Sequence, residues 1–163
     1  MFPDDILALS AHLIDAARGR NWTVATAESC TGGLVAAALT EIAGSSDVVD
    51  RGFVTYSNAA KQASLQVPEA LLAEFGAVSA GVARAMAEGA LTASGANLAV
   101  AITGIAGPGG GSADKPVGLV WLAVAAKGGE TSVREKRFGD IGRQEVRLAS
   151  VRTALEMMLE RLA

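Results

Sequence analysis

The chain has 163 residues, half of them hydrophobic but only 4% aromatic, and a formal net charge of -3; with a pI of about 5.2 it offers neither a broad polyanion-binding surface nor a base-stacking platform, which excludes nucleic acid as a partner. The mean hydropathy of +0.34 comes from dispersed Ala, Val and Leu, and no apolar run approaches the roughly 20 residues that span a bilayer, so a soluble protein with no membrane partner is expected. This length suits a single domain, 1–163, that buries its core without disulfides; one Cys permits no intramolecular bridge, and with no secretory signal pattern at the start the expected compartment is the cytoplasm.

Asp4 or Asp5 is expected to cap a first helix whose apolar positions Ile6, Leu7, Leu9, Leu13 and Ile14 form one stripe, ending near Gly19. "WTVATAE" reads as strand one, followed by a helix over 31–43 that Gly44 stops. "VVDRGFVTYS" has the β-branched and aromatic content of strand two. "NAAKQASLQV" is a short helix or turn, broken by Pro68 ahead of "EALLAEFG". Ser79 caps a long Ala-rich helix ended by Gly95. "NLAVAITGIAG" is a continuous apolar run between turn signals, the pattern of a buried parallel strand. In "VGLVWLAVAAKGGETSVREKRF" the centre Lys127-Gly128-Gly129-Glu130 joins two strand-like runs as an antiparallel hairpin. Residues 141–162 form the last helix, with a mixed-charge outer face. Strand–helix alternation followed by a hairpin and a terminal helix gives a three-layer α/β/α fold with a mainly parallel sheet.

Such sheets bind ligands beyond the carboxyl ends of their parallel strands. Strand one delivers Ser29, Cys30, Thr31, Gly32 and Gly33 to that edge, strand two Tyr56, Ser57, Asn58 and then Lys61, and strand three Thr103 and Gly104 followed by a Gly-rich loop. A serine just ahead of a helix lies near unpaired N–H groups that favour a developing negative charge, and Gly32 and Gly33 let a substrate approach the backbone. The commoner role of such a residue is an ordinary N-cap, for which Ser29 and Thr31 are both suited. Cys30 is a rival nucleophile, although neighbours leaving a strand point to opposite sides and only one of the pair faces the site. The only His, His12, sits on the first helix, so the base for Ser29 is a Lys or a carboxylate. Lys61, without a charged neighbour in sequence, is the candidate, because partial burial lowers the pKa of an amine. The loop over 107–112 fits neither the P-loop nor the dinucleotide fingerprint and reads as a flexible rim or lid. Arg143, a cation in the first turn of the last helix, suits recruitment of an anion.

The segments "AESCTGG", "VTYSNAAK", "AVAITGIAGPGGG…KPVGLVW" and "GDIGRQEVR" together resemble the C-terminal domain of the competence/damage-inducible CinA family, over essentially the whole chain. Stand-alone members of that family are nicotinamide-nucleotide amidases; longer members add an N-terminal molybdopterin-binding-like domain. The resemblance implies a mixed five-stranded sheet, a homodimer, and hydrolysis of the carboxamide of nicotinamide mononucleotide to nicotinate mononucleotide and ammonia in pyridine-nucleotide recycling, without metal or cofactor. It implies Ser29 as nucleophile, Lys61 as general base and Tyr56 as a hydrogen-bonding partner, with Thr103 and Arg143 at further functional positions. Thr31, Gly32, Gly33, Asn58 and Gly104 complete the expected substrate-binding set, with backbone N–H groups near 31–33 as oxyanion donors and Arg143 facing the phosphate. The alternatives are a nucleotide-binding module without catalysis and a Ser–Lys amidase or peptidase of other specificity.

Overall fold

A computed structural model of residues 1–163 runs α1 (Asp4–Gly19), β1 (Val24–Glu28), α2 (Leu34–Thr40), a short 3-10 turn (Ser45–Asp47), β2 (Val49–Val54), α3 (Asn58–Leu65), α4 (Glu69–Phe75), α5 (Ala80–Ser94), β3 (Leu98–Gly104), β4 (Leu119–Ala126), β5 (Ser132–Arg137) and α6 (Arg143–Leu162). The five strands form one sheet in the order β2-β1-β3-β4-β5. β1 pairs in parallel with both β2 and β3, while β3–β4 and β4–β5 are antiparallel, so four strands share a direction and only β4 opposes them. This is the expected mixed sheet with its hairpin.

The two faces of the sheet have different side chains, and that difference begins in β3. In Leu98-Ala99-Val100-Ala101-Ile102 the period of two sends Leu98, Val100 and Ile102 to one side and Ala99 and Ala101 to the other. The large residues join Val24, Val120, Leu122 and Val124 in a 26-residue core beneath α1, α2 and α6. The alanines join Ala25, Ala27, Ala123 and Ala125 beneath α3, α4 and the Ala-rich α5. Small side chains on both partners bring α5 close to the sheet. At Gly89 an added Cβ would lie 2.0 Å from the Leu65 carbonyl oxygen, so α5 also presses directly on the end of α3. Dense packing of small residues thus accounts for a chain rich in Ala and poor in aromatics.

Several ends differ from the sequence expectation. Neither Asp4 nor Asp5 caps α1: Pro3 holds the N-cap position, both aspartates lie in the first turn, and Asp5 pairs with Arg152 of α6. The helix expected over 31–43 is limited to Leu34–Thr40, because Gly32 and Gly33 have φ of 58° and 98° and residues 31–33 form a turn. Strand two ends at Val54, and Ser57 then caps α3 by accepting from the Ala60 N–H at 3.0 Å. At α5 the expected cap is present, with Ser79 Oγ accepting from the Val82 N–H at 3.4 Å and Gly95 closing the helix at φ 71°.

Candidate active site

Ser29 is the first residue past β1, and its N–H extends the ladder to β3 by donating to the Ile102 carbonyl at 2.9 Å. On the other side, Thr55 continues β2 by donating to the Glu28 carbonyl at 2.9 Å. The chain then turns into α3, whose fourth residue is Lys61. The long side chain of Lys61 folds back towards the strand ends, where Nζ meets Ser29 Oγ at 3.0 Å and the Thr55 carbonyl oxygen at 2.7 Å. Lys61 is only 1% exposed and forms no salt bridge. Burial without a counter-charge disfavours the ammonium and lowers its pKa below the ordinary lysine value, with the neighbouring Cys30 opposing the shift. A neutral Lys61 donates one N–H to Thr55 and offers its lone pair to the Ser29 hydroxyl proton, the arrangement a general base requires.

Ser29 and Lys61 line a cavity of about 290 Å³ together with Tyr56, Asn58, Thr103, Gly104 and Arg143. Tyr56 is bound to Arg143, not to Ser29. The Arg143 guanidinium donates from Nη2 to the phenol oxygen at 2.9 Å and from Nη1 to the Gly107 carbonyl at 2.8 Å. With the phenol oxygen accepting, its own O–H remains free to donate into the cavity. Thr103 Oγ1 donates to the Ala77 carbonyl at 2.9 Å, which fixes the Ala77–Val78 wall contributed by the connection between α4 and α5. The Gly-rich segment forms the rim through Gly107, Gly109 and Gly110, and Lys115 farther along it ties to the Phe75 carbonyl.

Three expected residues are not brought to this cavity. Thr31 is fully buried and its hydroxyl has no partner. The Gly32 N–H closes a turn on the Ser29 carbonyl at 3.0 Å. The Gly33 N–H donates to Glu28 at 3.1 Å, and the same buried carboxylate accepts from Val35 at 3.0 Å and Ala36 at 2.9 Å. Glu28 therefore occupies the start of α2, which the sequence had suggested as the place for an oxyanion. In the loop itself the N–H groups of Cys30 and Thr31 donate to no other residue, and of the two Cys30 lines the cavity.

The Cys30 side chain points into the core at 5% exposure, and burial pushes its thiol up to about 12, so it is held protonated. The alternation expected of residues leaving a strand thus turns Ser29 to the cavity and Cys30 away from it. His12 lies exposed on α1, away from this wall. A larger groove of about 520 Å³ runs between α3, α4 and α5, but its charged residues Arg84 and Glu88 pair with each other at 3.7 Å and no nucleophile–base pair lines it. Sequence reading missed two charged residues that hold the loop, Glu28 at the end of β1 and Arg147 on α6. Arg147 donates from Nε to the Cys30 carbonyl and from Nη2 to the Thr31 carbonyl, each at 3.0 Å. The only sequence signal for it is its place four residues after Arg143, on the same face of α6.

Fold and cavity define a three-layer α/β protein with a hydrogen-bonded serine–lysine pair at the carboxyl edge of its parallel strands. The chain belongs to the CinA C-terminal domain family, whose profile matches residues 7–162. It is 51% identical to the nicotinamide-nucleotide amidohydrolase PncC of Enterobacter agglomerans over 93% of this chain and 92% of that protein. It is 50% identical to the PncC of Escherichia coli K12 over 97% of this chain and 95% of the relative. A CinA-like protein of Geobacter sulfurreducens is 52% identical over 98% of this chain, which spans 39% of that longer protein. Among solved structures, the competence/damage-inducible protein CihA of Agrobacterium tumefaciens superposes with a TM-score of 0.97 at 61% identity, covering 99% of this chain and 98% of the other.

Proposed function

We propose that this chain hydrolyses the carboxamide of nicotinamide mononucleotide to nicotinate mononucleotide and ammonia, through an acyl-enzyme formed on Ser29. The observation that carries this reading is the 3.0 Å contact between Ser29 Oγ and the buried, unpaired amine of Lys61. The near full-length similarity to nicotinamide-nucleotide amidohydrolases supplies the substrate class.

Lys61 accepts the hydroxyl proton as Ser29 Oγ attacks the carboxamide carbon. The carbonyl oxygen becomes an oxyanion, for which the Cys30 N–H is the adjacent backbone donor. As the intermediate collapses, the C–N bond breaks and the ammonium of Lys61 returns its proton to the departing nitrogen, which leaves as ammonia. A water then attacks the acyl carbon, giving a proton to Lys61, and release of the acid restores Ser29. Tyr56, its oxygen engaged by Arg143, has its O–H available to the amide during these steps. Arg143 has no carboxylate partner, so its charge remains available to the substrate phosphate. On this reading the product acid is returned to pyridine-nucleotide synthesis, and the proposed reaction is a recycling step.

Ammonia release from nicotinamide mononucleotide by the purified protein tests this directly. Turnover is expected in the wild type and is expected to be lost in Ser29→Ala with the mononucleotide still bound. A wild type that binds the mononucleotide and releases no ammonia would instead be a binding module.

A further inference from the structure

Two charged side chains beside Ser29 take no part in the steps above, and both grip the loop that follows it. Glu28 accepts from the N–H groups at its far end, those of Gly33, Val35 and Ala36. Arg147 takes hold of the near end through the carbonyls of Cys30 and Thr31, with two nitrogens of one guanidinium at 3.0 Å each. Arg147 has no carboxylate partner, so these carbonyls are the acceptors its position in the fold provides. Gly32, at φ 58°, lets the guanidinium lie against the turn: an added Cβ would come within 3.3 Å of Nη2. Arg147 does not line the Ser29 cavity. It lines a neighbouring surface cavity of about 380 Å³ with Phe2, Leu34, Leu148 and Arg143, the last of which also lines the Ser29 cavity, and its own hydrogen bonds go to the loop backbone.

What that backbone controls is the direction of one N–H. The Ser29 carbonyl accepts from Gly32 and thus faces into the turn. The Ser29–Cys30 peptide is trans, so the Cys30 N–H points the opposite way, and Cys30 forms part of the cavity wall. We propose that Arg147 is a positioning residue for the Ser29 reaction: by holding two successive carbonyls on the α6 side of the loop it keeps the 29–32 turn closed and the Cys30 N–H directed at the oxyanion. A guanidinium suits the task because its planar fork reaches two carbonyls in a fixed relation, whereas an ammonium is a single point. The inference rests on the Ser29 acyl-enzyme proposed above.

Steady-state kinetics of ammonia release from nicotinamide mononucleotide, with Arg147→Ala, Arg147→Lys and Ser29→Ala compared, test it. Loss of one aligned oxyanion donor lowers kcat by about 100-fold or more, so Arg147→Ala is expected to fall on the order of 100-fold in kcat. Its KM should stay within about threefold, since only a transition-state interaction is lost. Arg147→Lys, which keeps the charge and one donor and guards against a misfolded alanine variant, is expected to retain about a tenth of wild-type kcat. Millimolar guanidinium should raise the kcat of Arg147→Ala several-fold through the surface cavity and leave Ser29→Ala inactive. Wild-type kcat in Arg147→Lys would overturn the proposal, as would a loss expressed in KM, or a folded Arg147→Ala that guanidinium does not restore. Retained turnover in Ser29→Ala would remove the Ser29 reaction itself, and this inference with it, whatever the Arg147 variants show.

Discussion

Replacing Lys61 with Met tests the base and the buried amine together. Met has a similar length and no charge, so the core around α3 keeps its volume while Ser29 loses its proton acceptor and Thr55 its donor. General-base assistance is worth about 10²–10⁴-fold in rate, and kcat for ammonia release is expected to drop by that amount. The pH profiles carry the sharper information. Burial lowers the pKa of Lys61 in the native state relative to the unfolded chain. Wild-type kcat should therefore rise with pH through an inflection below the ordinary lysine range, as the amine becomes free to accept the Ser29 proton. Lys61→Met should show no such limb.

Stability gives the same group a second readout with a fixed sign. Between the lowered native pKa and the unfolded value of about 10.4, the unfolded chain binds a proton that the native state does not, so wild-type stability rises with pH across that window. The Met variant should lack this slope. At the alkaline end, where the wild-type amine is neutral in both states, the variant should be less stable by about 1–3 kcal/mol, the cost of leaving the buried Thr55 carbonyl without its donor. As pH falls through that window this deficit should shrink, because burial makes protonating the amine costlier in the native state than in the unfolded chain. Urea denaturation at several pH values, read beside kcat, checks both. An identical pH limb in Lys61→Met, or an unchanged dependence of stability on pH, would refute the assignment of Lys61 as a buried base.

Two further outcomes follow from packing around the site. Gly89→Ala should destabilise the protein by about 2 kcal/mol, because its Cβ would meet the Leu65 carbonyl at 2.0 Å and overpacking outweighs the gain in helix propensity; a melting temperature equal to or above that of the wild type would show that α3 and α5 do not meet as described. Cys30 in the native protein should resist iodoacetamide at pH 8 with activity intact, since its thiol is core-facing and pushed up to about 12; rapid alkylation with loss of activity would return Cys30 to contention as the nucleophile.

What could be read in the sequence was what local pattern controls. The continuous apolar run "NLAVAITGIAG" between turn signals marked the buried central strand, whereas the division of its large and small residues between two different helix layers emerged only with the sheet. Ser79 and Gly95 marked the ends of α5, and Lys127 to Glu130 marked the hairpin, because caps and turns depend on a few adjacent residues. The opposite directions of Ser29 and Cys30 likewise followed from strand geometry. The proximity of Lys61 to Ser29 depended on strands one and two being neighbours in a parallel sheet, and the fold gives that pairing a 3.0 Å contact.

The environment of the loop after Ser29 was hidden because long-range contacts decide it. From sequence, a serine before a helix suggests an oxyanion at the helix start, since the first N–H groups of a helix lack partners. That inference assumes that no nearer anion satisfies them. Glu28, the last residue of β1, lies one position before Ser29, and alternation along the strand turns its side chain to the opposite side. From there its carboxylate reaches Gly33, Val35 and Ala36 and satisfies the donors first. A glutamate ending an otherwise uncharged strand carries no signature of this, because the contact depends on two positive-φ glycines curling the chain back towards it. With the start of α2 filled by a side chain of the protein itself, the proposed reaction draws its donors from the loop before the helix, and the direction of those donors then depends on what grips the loop. Two formal charges, Glu28 at one end and Arg147 at the other, supply that grip, and neither is itself a reacting group.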